Sequence, residues 1–145
     1  MAKRVELDIS RCCACGACSI ACMDQNDIDL KTGVRPYRTV FRQEFNLGKS
    51  IEYYSISCMH CENAPCMRVC PLKVFERTEN GFVVAVHQRR CIGCKKCLKV
   101  CPHDVPRFNK DGKIVKCDGC YARVAMGLEP ACVRACNTGA LSLEE

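Results

Sequence analysis

Apolar and polar positions alternate only over short stretches of this chain. Tyr37, Thr39, Phe41 and Phe45 share one parity, as on one face of a strand. Asn46-Leu47-Gly48-Lys49 reads as a turn and Ile51 to Ile56 as the returning strand. A smaller hairpin is predicted from Val74 to Ala85, turning at Asn80-Gly81, and another at Asp111-Gly112 with Ile114 and Val115 on the return. The helices are equally short. One ends in the polar run Asp24, Asn26, Asp27 and Asp29. A second carries the chain from Cys97 to Cys101 and stops at Pro102, which lacks an N–H and disfavours helical geometry in the residue before it. A third spans Tyr121 to Met126 and closes at Gly127. Such elements predict an α+β fold of small hairpins and short helices with little conventional core.

Composition sharpens that expectation. The hydrophobic share of 48% in 145 residues includes 17 cysteines, and there are only 5 Phe, 4 Tyr and no Trp. Side-chain packing alone is thin for a chain this long, and metal ligation is the obvious supplement. Without its metal the chain is expected to be largely unfolded. The cysteine count is odd, and close triplets such as Cys12, Cys15 and Cys18 suit a metal better than pairwise disulfides. Met1-Ala2-Lys3-Arg4-Val5-Glu6-Leu7-Asp8 has no apolar signal-peptide region and no twin-arginine signal, so a reducing cytoplasm is expected. No apolar run approaches membrane-spanning length, so no direct membrane anchor is expected.

The cysteines fall into four sets of four. The run Cys91, Cys94, Cys97, Cys101, Pro102 has the x2, x2, x3 spacing of bacterial-type ferredoxins, in which three thiolates wrap one iron–sulfur cluster and the fourth reaches another. Cys12, Cys15, Cys18 and Cys22 repeat that spacing without the terminal proline. Cys13 falls outside the frame and is expected to be a small buried side chain, not a ligand. Cys58, Cys61, Cys66 and Cys70 are spaced x2, x4, x3 and end in Pro71; His60 between them is expected not to ligate. Cys117 and Cys120 are completed by Cys132 and Cys136 after an eleven-residue gap. Soft thiolates select iron–sulfur clusters or zinc. Four complete sets, two ending in Cys-Pro, favour clusters over a zinc-dependent interaction or nucleic-acid module. Four oxidised [4Fe–4S] centres at about −2 each would take the formal charge of +6 to about −2, which removes the argument for nucleic-acid binding. With four cysteines per cluster no iron is open to substrate, and neither a nucleophile–base constellation nor a glycine-rich phosphate loop is present. The chain alone is therefore expected to transfer electrons and catalyse nothing else. The shared proline favours pairing the second motif with the third, and the first with the fourth, so that the termini meet.

These residues resemble the four-cluster ferredoxin-like electron-transfer subunits of molybdopterin and tungstopterin oxidoreductases, whose members serve dimethyl sulfoxide reductase, formate dehydrogenase, polysulfide reductase and tungsten-dependent aldehyde oxidoreductase. The most specific parts are Cys58-Met59-His60-Cys61-Glu62-Asn63-Ala64-Pro65-Cys66, Cys91-Ile92-Gly93-Cys94-Lys95-Lys96-Cys97, and Lys116-Cys117-Asp118-Gly119-Cys120-Tyr121 with Pro130-Ala131-Cys132. The resemblance implies two nested bacterial-ferredoxin-like two-cluster modules in a single domain, residues 1–145. The outer module takes residues 1–30 and 110–145, the inner module residues 56–108, and a hairpin insertion residues 31–55. It implies Cys12, Cys15, Cys18 and Cys136 on one outer cluster (A) and Cys22, Cys117, Cys120 and Cys132 on the other (B). The inner clusters take Cys58, Cys61, Cys66 and Cys101 (C), and Cys70, Cys91, Cys94 and Cys97 (D). The implied partner is a large tungsto- or molybdopterin catalytic subunit, with a further flavin- or NAD-linked redox subunit as acceptor. A small subunit of a cytoplasmic tungsten-dependent aldehyde oxidoreductase is the favoured setting, and a freely diffusing polyferredoxin is the alternative. A two-ended wire also admits head-to-tail self-association. Asn137 stands where the family often has proline, and His87 where an acidic residue is common.

Overall fold

The computed structural model describes residues 2–145, and its elements are as short as the sequence pattern predicts. Strand β1 (Arg4–Leu7) leads through a 3₁₀ turn at Ile9–Arg11 into helix α1 (Ala17–Gln25). Strands β2 (Thr39–Phe45) and β3 (Ser50–Ile56) make the longest hairpin. Helix α2 (Pro65–Val69) is followed by β4 (Glu76–Arg77), β5 (Val83–Val84) and helix α3 (Lys96–Val100). Then come β6 (Arg107–Phe108), β7 (Ile114–Val115), helices α4 (Tyr121–Ala125) and α5 (Ala131–Arg134), and the closing strand β8 (Leu141–Glu144). The strands form antiparallel pairs: β1 with β8, β2 with β3, β4 with β5 and β6 with β7. The two ends of the chain are thus tied together, from Arg4 opposite Glu144 to Leu7 opposite Leu141.

Local chemistry explains where the helices begin and end. Pro65 sits in the first turn of α2, where its missing N–H has no helical partner to lose. Cys70 (φ −69°, ψ 113°) and Cys101 (φ −76°, ψ 118°) are extended, the geometry that a following proline imposes. No proline follows Cys22, and α1 runs on past it to Gln25. The proline enforces the exit of Cys70 and Cys101 from their helices, whereas Cys136, followed by Asn137, lies beyond the end of α5 without one.

A second regularity lies inside the Cys-x-x-Cys loops. The residue before the second cysteine takes the left-handed conformation in all four: Ala14 (φ 56°), His60 (φ 46°), Gly93 (φ 70°) and Gly119 (φ 72°). Glycine takes this conformation freely and an L-residue does not. At Gly119 a side chain is also sterically excluded, because a Cβ would lie 2.4 Å from the Phe82 ring. Ala14 is an L-residue held where glycine is at ease, so Ala14→Gly is expected to stabilise the iron-loaded chain by up to about 1 kcal/mol in denaturant titrations.

Two small apolar clusters replace a conventional core. The larger joins Ala64, Val74, Phe75, Val83, Cys97 and Ile114. The smaller joins Cys18, Val133 and Leu141, with Val5, Leu7 and Val40 packed against it. α2 packs on α3, and α1 on α5. The β2–β3 hairpin forms in the predicted place, with Asn46, Leu47 and Gly48 all at positive φ in its turn. Its predicted aromatic face points outward: Phe41 is exposed and stacks on Tyr54 across the strands, with ring centroids 5.3 Å apart. The opposite parity, Val40 and Ser55, faces the cysteines, because those smaller side chains fit against α1 and α5 where the aromatic rings would not.

Candidate metal centres

The cysteines gather around cavities. Cys70, Cys91, Cys94 and Cys97 line one, walled by Val74, Phe75 and Ile114. Cys58, Cys61, Cys66 and Cys101 line a second, with Ala64 and Val83. Cys12, Cys15, Cys18 and Cys136 line a third, where Val40 and Ser55 of the hairpin close one side. The remaining four are also neighbours. Burial raises the Cys22 thiol first, and the sulfurs of Cys117 and Cys132 raise it further, to about 12. Burial likewise takes Cys120 up to about 11, with Cys117 and Cys132 adding to the rise.

This arrangement suits a polynuclear cluster. Tetrahedral zinc needs four sulfurs about 2.3 Å from a single point. Among the described residues, no three Cys, His, Asp or Glu side chains converge closely enough to hold one ion. The thiols instead ring apolar-walled spaces, and burial lifts Cys97 to about 11 as well. Only a strong Lewis acid makes thiolates of such groups at neutral pH, which couples metal binding to ligand deprotonation. One buried cation makes the same point. Arg38 is 5% exposed, and its Nε has no hydrogen-bond partner among the described residues. Its Nη1 donates to the carbonyl (3.3 Å) and hydroxyl (3.1 Å) of Ser55. The Cys132 thiol beside it is raised by burial and drawn back by the guanidinium. An anionic iron–sulfur centre on Cys132 would complete that environment.

Donors aimed at sulfur recur around the cavities. The first cysteine of three Cys-x-x-Cys loops accepts from the N–H two residues on: Cys58 from His60, Cys91 from Gly93 and Cys117 from Gly119, each at 3.4 Å. The left-handed residue turns its own N–H toward that sulfur, so the strained conformation serves the site directly. Cys91 also accepts from the Ile114 N–H at 3.3 Å, and Ser55 Oγ lies 3.4 Å from Cys18 Sγ. Burial pushes the Cys58 thiol up, yet the His60 hydrogen bond and the Lys116 ammonium outweigh it, and the net shift is downward.

Two placements depart from or add to the sequence reading. Cys13, expected to be buried, is exposed. It lies at the rim of the third cavity, which it lines together with Cys12, Cys15, Cys18 and Cys136. The residues that sequence reasoning missed are the buried ones near sulfur: Arg38, Ser55 and, as more than a motif letter, Lys116. For Lys116 the signal was adjacency to Cys117. For Arg38 it was parity with Val40, masked by the more conspicuous aromatic face. His87 pairs with Glu76.

A family model described as a 4Fe–4S dicluster domain matches residues 49–145, which hold three of the four motifs. The chain belongs to this 4Fe–4S dicluster family. The relatives extend the likeness over the first motif's part of the chain as well. The B subunit of anaerobic dimethyl sulfoxide reductase from Escherichia coli (strain K12) is 38% identical over 143 residues, covering 93% of this chain and 69% of the relative. The thiosulfate reductase electron transfer subunit of Salmonella typhi is 41% identical over 139 residues, covering 92% and 71%. The nitrate-inducible formate dehydrogenase iron-sulfur subunit of E. coli K12 is 38% identical over 152 residues, covering 93% of this chain and 51% of that subunit. This dicluster protein thus carries [4Fe–4S] clusters on its cysteines and is similar to electron-transfer subunits of oxidoreductase complexes.

Proposed function

We propose that the chain is a non-catalytic electron-transfer subunit that holds four [4Fe–4S] clusters and connects a large molybdo- or tungstopterin catalytic subunit to a second redox partner. The observation that supports this reading is that three groups of four cysteines line three cavities and that Cys22, Cys117, Cys120 and Cys132 lie near one another. Cys12, Cys15, Cys18 and Cys136 hold cluster A, and Cys22, Cys117, Cys120 and Cys132 hold cluster B. Cys58, Cys61, Cys66 and Cys101 hold cluster C, and Cys70, Cys91, Cys94 and Cys97 hold cluster D. Residues 56–108 form the inner module, residues 1–30 with 110–145 the outer module, and residues 31–55 the inserted hairpin. The pairing of β1 with β8 supports closure of the outer module by both ends of the chain.

The clusters supply one-electron exchange. The protein's part is to space them, exclude water with apolar walls and aim N–H groups at the sulfurs. Cys15 and Cys94 are exposed and lie in the A and D rings. They mark the two ends at which partners exchange electrons. The B and C rings meet inside, where His60 Nε2 is 3.7 Å from Cys117 Sγ. Sixteen cysteines kept as thiolate ligands suit a reducing compartment, and we place the protein in the cytoplasm. No helix of the described residues is long and apolar enough to cross a membrane.

Purification from the native source tests the assignment. A pterin-containing large subunit is expected to co-purify in stoichiometric amount; a monodisperse free chain would favour a diffusing polyferredoxin. Cys13→Ser is expected to retain the full iron content and visible spectrum, whereas loss of one cluster's worth of iron would make Cys13 a ligand.

A further inference from the structure

Two buried cations lie against the cysteine sulfurs, and neither forms an ion pair with a carboxylate among the described residues. Lys116 is 7% exposed. Its Nζ lies 3.4 Å from Cys58 Sγ, 2.8 Å from the Cys117 carbonyl, and also donates to the Val83 carbonyl. It therefore stands between a cysteine of the C ring and one of the B ring. His60 spans the same gap. The Val83 N–H donates to its Nδ1 at 2.9 Å, so in the neutral ring the proton sits on Nε2, 3.7 Å from Cys117 Sγ. The Phe82 ring holds the imidazole edge-on, with centroids 5.1 Å apart. Arg38 stands on the other side of the B ring. Its guanidinium draws on the Cys132 thiolate, and its Nη1 reaches Ser55, whose hydroxyl lies against Cys18 of the A ring.

We propose that Arg38 and Lys116 are positioning residues that raise the reduction potentials of the clusters they touch, on the Cys132 and Cys58 rings, and so make the middle of the molecule the resting place of an electron crossing it. Reduction adds one negative charge to a centre whose ligands are already anionic. A fixed cation shielded from water beside a ligand sulfur, as Lys116 is at 3.4 Å from Cys58 and as Arg38 is on the Cys132 side of Ser55, favours that extra charge. The cations at the D ring are placed differently: Lys95 and Lys96 line its cavity but are exposed, and the half-buried Lys113 donates to the Cys91 carbonyl at 2.9 Å, while the donors on the Cys91 sulfur are the neutral N–H groups of Gly93 and Ile114. On the A ring the donors are the hydroxyls of Ser55 and Thr138. Among the described residues the buried Lys and Arg side chains, Arg38 and Lys116, thus lie at the two inner rings of the path. A structural explanation, that both cations merely tie backbone carbonyls, predicts effects on stability and none on potential.

The inference rests on the four-cluster reading above, and the experiment separates the two. Full-length protein, purified anaerobically, is counted for iron and sulfide and then titrated redox-potentiometrically with EPR detection. Lys116→Met and Arg38→Met are compared with Lys116→Arg and Arg38→Lys, which keep the charge. Each methionine variant with full iron is expected to show one centre whose reduction equilibrium falls about tenfold or more, a shift of about 59 mV for a one-electron couple. The charge-keeping variants are expected to recover most of it. If a methionine variant loses iron, Lys116→Gln and Arg38→Gln replace it against the same charge-keeping partners. Unchanged potentials at full iron would overturn the proposal and leave the cations as structural ties. A wild-type count that departs from four centres would overturn the four-cluster reading itself.

Discussion

Removing iron with a chelator under reducing conditions is expected to unfold the chain cooperatively, with loss of far-ultraviolet helical signal and gain of protease sensitivity throughout. The reason lies in how little core there is. The larger apolar cluster has six buried members, one of them Cys97, and the smaller has three, one of them Cys18. Each sheet is a two-stranded ribbon, and an isolated ribbon is marginal in water. The helices are four to nine residues long, too short to stand unaided. Ligation must therefore supply most of the net stability, as it does in small metal-folded domains. Refolding is expected only when iron and sulfide are returned under anaerobic conditions. A chelated chain that kept native circular dichroism would mean that the two apolar clusters hold the fold without metal.

Phe82→Ala is expected to be the most damaging substitution outside the cysteines, costing about 3–5 kcal/mol in denaturant titrations of the iron-loaded protein. Phe82 is fully buried, packs edge-on against His60 and fills the space that Gly119 leaves. Truncating it opens a cavity and frees the two loops that hold Cys58 and Cys117. The expected secondary sign is a change confined to centres B and C in the EPR spectrum of the reduced protein. A loss of stability with all four centres untouched would separate the packing role of Phe82 from its role in seating the loops.

What the sequence made legible follows from the strength of each local signal. Cysteine spacing is absolute, so the sets were readable without knowing a fold. Asn80-Gly81 and Asp111-Gly112 are strong turn signals, and hairpins lie at both, with Gly81 and Gly112 at positive φ. Pro71 and Pro102 set the conformations of Cys70 and Cys101 by sterics alone. Other features had no local signal to read. β1 and β8 are four residues each, and their pairing depends on closure of the whole chain. Which face of the β2–β3 hairpin turns inward is set by the space beside α1 and α5, and the aromatic parity suggested the other face. Ala14 and His60 adopt left-handed geometry that nothing in their side chains announces. Arg38 and Lys116 run against the prior that basic residues are solvated, and the anionic centres proposed beside them would make their burial intelligible.

The most direct test of the four-cluster electron carrier is an iron and acid-labile sulfide count on anaerobically purified protein, with its visible spectrum before and after reduction. Four centres predict about 16 iron and about 16 sulfide per chain, with broad absorption that bleaches on reduction. A count near 8 of each would contradict them by leaving two of the four cysteine rings without clusters, and colourless protein with stoichiometric zinc would contradict the electron-transfer role altogether.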